Sequence, residues 1–236
     1  MNLSIVVPFH NEEGNVEAVL QGYRVFAGTV PFELICVNDG SRDGTKAVFR
    51  RLLRSGKYPF VRYINIPPEE HKGYGDAIMR GLEEARGEVV AWTHSDLQTD
   101  PADVFRAFEK FVAEKNNQIV VKGKRSGRRF GQFVFSLGMA LLSSLVLQRI
   151  FYEINAQPKL FHRMFLSHLT DAPDDFSLDL YLLYQAKRNG YRITSIEVKF
   201  PDRIHGVSSW ASSFKSRYQT VLRTIRYILA LRKKLL

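Results

Sequence analysis

Apolar positions along the chain fall into two alternating patterns. Leu3–Val7, Glu33–Asn38, Val61–Ile66, Val89–Thr93 and Ile119–Lys122 are short runs rich in apolar and β-branched residues, suited to strands buried on both faces of a sheet. Between them, Val16, Val19, Leu20 and Tyr23, then Ala47, Val48 and Leu52, then Ala77, Ile78, Leu82 and Ala85, recur at helical spacing. Pro67-Pro68 closes the third run, and Pro101 opens a helix over 101–113, where its missing N–H costs nothing. Regular strand–helix alternation predicts an α/β fold with a mostly parallel central sheet and helices on both faces. Beyond residue 122 the alternation breaks. Gly131–Phe151 is a long apolar, helix-prone stretch, Asp179–Asn189 reads as a helix stopped by Gly190, and Tyr191–Phe200 alternates as a strand.

A chain of 236 residues that is 45% hydrophobic can bury a substantial core, which excludes disorder, and a single Cys excludes a disulfide scaffold. Cys36 lies within an apolar run and reads as a small buried hydrophobe, and a lone thiol points to a reducing compartment. The first residues pass straight into a strand, with no basic leader. Phe133–Leu147, the longest apolar approach to a span, carries Ser136, Ser143 and Ser144 and falls short of the ~18–20 residues required, so it reads as buried or interfacial.

The net charge of +10 is concentrated in two places. Residues 119–152 hold six basic side chains and no acid, and residues 203–236 hold eight and no acid, leaving 20 basic against 24 acidic elsewhere. Two such segments point to an anionic partner, either nucleic acid or an anionic membrane surface. In the tail, Phe214, Tyr218, Val221, Ile225 and Ile228 form one stripe with Lys215, Arg223, Arg226 and Lys233 off it. That pattern suits a helix lying on an anionic bilayer, or one packed on the protein with a solvated basic side.

In an open α/β sheet, ligands gather beyond the carboxyl ends of the strands. The segments leaving those ends here are Pro8–Glu13, Asn38–Gly44, His71–Asp76 and His94–Asp100, and each is polar or acidic. Asp39 suits hydrogen bonds to a base or ribose, or a capped turn. Lys72–Gly75 opens a helix whose first amides could meet a phosphate, or simply turns the chain. Asp96 and Gln98 offer hard oxygens of the kind Mg²⁺ or Mn²⁺ takes, whereas Asp100 before Pro101 reads as a helix cap. There is no Gly-x-x-x-x-Gly-Lys-Ser/Thr and no early Gly-x-Gly-x-x-Gly.

In order and spacing, Ile5–Glu13, Val37–Thr45, Lys72–Gly75, Ala85–Glu88 and Asp96-Leu97-Gln98 resemble glycosyltransferase family 2, in the group that includes dolichol-phosphate mannosyltransferase. The resemblance is specific over about residues 3–105 and looser through 154–161 and 203–208. It implies an A-type glycosyltransferase (Rossmann-like) fold over a domain at 1–210, and the striped tail at 211–236 reads as a basic amphipathic C-terminal helix. It further implies a UDP- or GDP-sugar donor, with Pro8, Phe9, Glu12 and Asp39 around base and ribose and Lys72 and Gly73 near the diphosphate and sugar. Asp96 would hold a divalent metal, Mg or Mn, with Gln98. The family usually has Asp-x-Asp where this chain has His94-Ser95-Asp96; a neutral His94 can ligate Mn²⁺ but removes a charge that favours Mg²⁺. That departure alters the metal dependence, removes a dispensable contact, or marks a non-catalytic nucleotide-sugar-binding relative.

In that group the acceptor is a polyprenyl phosphate, which needs no strong base because a phosphate monoester is largely dianionic at neutral pH (second pKa ~6). Lys124 and Arg125 in the run leaving the fifth strand, with Arg203 and Ser208 of Arg-x-x-Gly-x-Ser, would meet that phosphate. A glycan hydroxyl acceptor would instead need a carboxylate, Asp175 or Asp179. The expected enzyme is therefore an inverting glycosyltransferase, cytoplasmic and peripheral at the inner membrane face. Nucleic acid is set aside as a partner, because it leaves the acidic strand ends unexplained.

Overall fold

The computed structural model describes residues 1–127, 130–201 and 214–233. Its strands are β1 (Leu3–Phe9), β2 (Phe32–Asp39), β3 (Val61–Ile66), β4 (Val89–Trp92), β5 (Ile119–Ser126), β6 (Lys159–His162) and β7 (Arg192–Lys199). Its helices are α1 (Val16–Arg24), α2 (Thr45–Arg54), α3 (Tyr74–Glu83), α4 (Pro101–Ala113), α5 (Phe130–Leu147), α6 (Leu178–Arg188) and α7 (Phe214–Lys233). One seven-stranded sheet runs in the order β3-β2-β1-β4-β6-β5-β7, parallel except for β6.

Alternate residues of the buried strands feed two cores. Ile5 and Val7, Leu34 and Cys36, and Val89 and Ala91 face α1, α2 and α4. Val6, Ile35 and Val37, and Val90 and Trp92 face α3 and α6, where Leu147 of α5 and Ile228 and Leu231 of α7 join them. The predicted helical stripe of α1 is buried at each of its four positions, as an amphipathic helix against a sheet requires.

Two features differ from the sequence expectation. Strand β5 runs four residues past Lys122, because β7 pairs with it to Ser126↔Lys199. Lys124 and Arg125 are therefore strand residues rather than part of a loop leaving the sheet. The antiparallel β6, wedged between β4 and β5, was not anticipated: it has four residues and begins on a lysine. Helix α5 was expected to be buried or interfacial, and it buries Ala140 and Leu147 while leaving Leu141 and Leu145 62% and 79% exposed.

Candidate functional site

The carboxyl ends of β1, β2 and β4 share one rim, where two loops are stitched together by the polar residues that made them look chemical. Asn11 N–H donates to Ser41 Oγ (2.9 Å), and its side-chain oxygen accepts from Arg42 N–H (2.8 Å). Glu13 Oε2 accepts from Gly44 N–H (2.6 Å), and Asp43 accepts from Glu13 N–H and from Thr45. Burial alone would raise the Asp43 pKa, but the hydrogen bonds from Thr45 and from backbone N–H groups hold it below the usual value. Glu12 Oε2 accepts from Asn15 Nδ2 (2.5 Å). Phe9 is fully buried edge-on to Phe49, and Pro8 is buried beside it, so both form the floor of the rim.

Asp39 ends β2 with its side chain only 4% exposed. His71 Nδ1 lies 3.0 Å from its Oδ1, and His10 Nδ1 donates to its backbone carbonyl at 2.6 Å. Desolvation raises the Asp39 pKa, against the lowering effect of His71 and His10.

The entrance to α3 is built by close approach. Gly73 has φ +138°, and a Cβ there would meet the Asp174 carbonyl oxygen at 2.8 Å; at Gly75 it would run into the Pro173 carbonyl. The amides of Gly75 and Asp76 both donate to Asp174 O (2.7 and 3.3 Å), so the first amides of this helix are occupied by backbone rather than open to a phosphate. Lys72 remains 58% exposed, 3.9 Å from Asp76.

Asp96 is 6% exposed, and its Oδ1 accepts from Gln98 N–H (3.1 Å) across Leu97, whose φ of +59° is unusual for a branched side chain. Gln98 Nε2 reaches over to the Pro201 carbonyl at 2.9 Å. The His94 ring lies 5.3 Å from that of Tyr74, which stacks on Phe176 at 4.6 Å.

Sequence reasoning missed the hub beneath this rim. Asp179 is fully buried and accepts from Trp92 Nε1 (3.2 Å) and Gln157 Nε2 (3.0 Å) while pairing with Lys159 Nζ (3.0 Å). Gln157 also donates to the Tyr74 hydroxyl (3.1 Å), whose pKa burial and the nearby Asp179 charge push well up. Surrounded by three donors, Asp179 holds the rim's floor together, a geometry unlike that of an accessible base. Lys122, 3% exposed, donates to the carbonyls of Gly123 and Glu153 and sits 4.5 Å over the Tyr152 ring. Burial, with Lys159 adding to it, pulls its pKa down to about 7.

Along β5, Arg125 pairs with Glu153 (2.9 Å) and Lys124 with Glu197 (3.6 Å). Arg203 and Ser208 lie outside the described residues. Asp175 Oδ1 accepts from Ser177 N–H (2.9 Å), and Asp175 borders a groove of about 610 Å³ with Lys72, Arg223, Arg226 and Tyr227.

A family model described as glycosyl transferase family 2 matches residues 4–178. The chain belongs to that family. An undecaprenyl-phosphate 4-deoxy-4-formamido-L-arabinose transferase of Pseudomonas syringae pv. syringae (strain B728a) is 31% identical over 122 residues, which is 50% of this chain and 34% of that protein. A dodecaprenyl-phosphate galacturonate synthase of Rhizobium johnstonii is 32% identical over 139 residues, or 57% of this chain and 39% of that one. This chain thus matches little more than a third of the length of these relatives. Among solved structures, glucosyl-3-phosphoglycerate synthase of Mycobacterium tuberculosis, in complex with Mn²⁺, UDP and glucosyl-3-phosphoglycerate, superposes with a TM-score of 0.73. It is 21% identical and covers 98% of this chain and 79% of its own, a likeness that shows the A-type glycosyltransferase fold.

For a family 2 glycosyltransferase fold, Asp39 is the last residue of β2 and Asp96 lies in the turn that follows β4, two strands that both pair with β1.

Proposed function

We propose that this chain forms the sugar-transfer site of a nucleotide-sugar-dependent, inverting glycosyltransferase whose acceptor is a polyprenyl phosphate at an anionic membrane surface. The observation that carries the reading is the pair of nearly buried carboxylates, Asp39 and Asp96, flanking β1 in a chain whose curated relatives are named for polyprenyl-phosphate sugars. Asp39 receives hydrogen bonds from the base or ribose of a UDP- or GDP-sugar. Lys72 swings to the diphosphate.

Asp96, His94 and Gln98 would hold a divalent ion. Their donor set, one carboxylate, one imidazole and one amide oxygen on a single turn, fits Mn²⁺ better than Mg²⁺, which prefers oxygen throughout. A bound ion supplies charge neutralisation at the departing diphosphate. One oxygen of the acceptor phosphate forms a bond to the anomeric carbon, and the bond from that carbon to the diphosphate oxygen breaks. The electron pair leaves with the nucleoside diphosphate, and no proton need be taken up, because the acceptor is already ionised. Lys124, Arg125, Arg203 and Ser208 are assigned to the acceptor phosphate.

Helix α5 supports the membrane side of the reading. Val134, Leu137, Leu141 and Leu145 are exposed on one face, while Ala140, Ser143 and Leu147 are buried on the other. Residues 119–152 carry no acid to repel an anionic bilayer. No helix among the described residues is long and apolar enough to cross a membrane, and under this reading the α5 face meets the bilayer peripherally, at its cytoplasmic side.

Calorimetric titration with UDP, GDP and their sugars, with and without Mn²⁺, tests the donor half. One nucleotide should bind in a metal-dependent way, and Asp39→Ala and Asp96→Asn should each weaken it about tenfold or more. No response to either nucleotide would overturn the reading, and tight binding with no turnover in the presence of acceptor would mark a non-catalytic relative. Asp175, beside Lys72 in the groove, favours a second reading in which a glycan hydroxyl is the acceptor and Asp175 its base. Under that reading Asp175→Asn lowers turnover by about 10²-fold or more, whereas with a phosphate acceptor it changes little.

A further inference from the structure

Four observations converge at the β1–β2 end of the rim, away from the His94–Asp96–Gln98 turn. One nitrogen each of His10 and His71 and one carboxylate oxygen of Asp39 lie within 4.8 Å of one another. The two imidazoles stack at 4.5 Å with their planes 21° apart, which holds both rings beside Asp39. A carbonyl oxygen can only accept, so the 2.6 Å contact from His10 Nδ1 to Asp39 O fixes the proton on Nδ1 and leaves the Nε2 lone pair available. Histidines that ligate metals usually anchor their second nitrogen in this way. Finally, Asp39 Oδ1 is buried, with His71 Nδ1 3.0 Å away.

We propose that His10, Asp39 and His71 form a binding site for a borderline divalent transition ion such as Zn²⁺, separate from the ion position assigned to Asp96. Two imidazoles and one carboxylate suit Zn²⁺ and its neighbours over Mg²⁺ or Ca²⁺. Tetrahedral Zn²⁺ with bonds of ~2.0–2.1 Å spaces its ligand atoms ~3.4 Å apart, so the three groups need to close by up to ~1.4 Å. The exposed histidines supply that movement, since the side chain of His71 is 36% exposed and His10 is exposed on its loop. Three protein ligands leave a fourth position for water or another ligand. Gly40 belongs to the same construction: it has φ +64°, and a Cβ there would meet His71 Cβ at 2.7 Å. An ion at this site occupies the carboxylate assigned to the donor nucleoside, so Zn²⁺ binding and nucleotide binding exclude each other. That consequence, though not the ion site itself, rests on the proposed function.

The test is titration of the metal-free full chain with Zn²⁺, and with Co²⁺ as a spectroscopic probe. One equivalent of Co²⁺ should give the visible absorption of a low-coordinate nitrogen–oxygen site. His10→Ala and His71→Ala should each abolish that band and weaken Zn²⁺ binding about tenfold or more, while Asp96→Asn leaves both unchanged. The outer-loop histidines spare the core, and an unchanged thermal melt shows that each variant folds. Loss of the Co²⁺ band in Asp96→Asn, or its persistence in both histidine variants, would overturn the proposal. Adding UDP or GDP then separates the two readings. Displacement of Zn²⁺ is the result expected, whereas an intact ion site beside undiminished nucleotide binding would contradict the donor role of Asp39 and leave the ion site standing.

Discussion

At Asp179, three donors converge on one carboxylate with no exposure to solvent, and the consequence is structural. Asp179→Asn leaves the Lys159 charge buried without its partner, and breaking a pair of this kind typically costs about 3–5 kcal/mol. A fall of that size in the unfolding free energy from urea titration is expected, together with lost activity. Asp96→Asn, by contrast, should keep the midpoint and lower turnover by on the order of 10²-fold or more. Lys122 supplies a pH signature. Its pKa is about 7 in the folded chain against about 10.5 for an ordinary lysine, so between these values the unfolded chain binds the extra proton. The contribution of Lys122 to stability therefore rises with pH across that window and is flat below about pH 7. Urea denaturation at pH 7 and pH 9 should show a larger gain for the wild type than for Lys122→Met; equal gains would contradict the burial of this amine.

At the scale of elements, the junction between α3 and the 173–175 segment decides whether the rim keeps its shape. Gly75→Ala pushes a methyl into the Pro173 carbonyl, and overpacking of this kind costs about 1–3 kcal/mol. The variant should melt earlier and bind nucleotide more weakly, because Lys72 sits on the same entrance. The buried parallel strands were legible as continuous apolar runs because both faces are covered. The true extent of β5 was not, since Lys122, Lys124 and Arg125 interrupt the hydrophobic signal and only pairing with β7 sustains the strand. The Tyr74–Gln157–Asp179 hub was hidden for a different reason. Tyr74 and Gln157 are 83 positions apart, Trp92 and Asp179 are 87 apart, and no local pattern announces such contacts. The strand-end motifs lie along the rim. They overstated its chemistry, because Asn11, Glu13 and Asp43 spend their polar groups on joining two loops.

Across the whole molecule, acidic side chains line the β1–β2 end of the rim, while α5 is apolar and α7 carries basic groups. The C-terminal stripe is partly spent on the protein itself, since Ile228 and Leu231 are buried; Leu229 stays 52% exposed, and Phe214 and Tyr218 have no described side chains. The outward face of α5 is the stronger candidate for contact with lipid. Leu141→Glu combined with Leu145→Glu should cut sedimentation with anionic vesicles about tenfold while leaving nucleotide binding intact, and raised salt should weaken wild-type binding. Undiminished vesicle binding by the double variant would place the contact elsewhere.

The account comes to its sharpest test in a single incubation of the purified chain with radiolabelled UDP- and GDP-sugars, Mn²⁺ and a polyprenyl phosphate in vesicles. Label released from the lipid fraction by mild acid, and absent with Asp96→Asn, is the result predicted. Label found only in a water-soluble product or a glycan, with none in lipid, would contradict it.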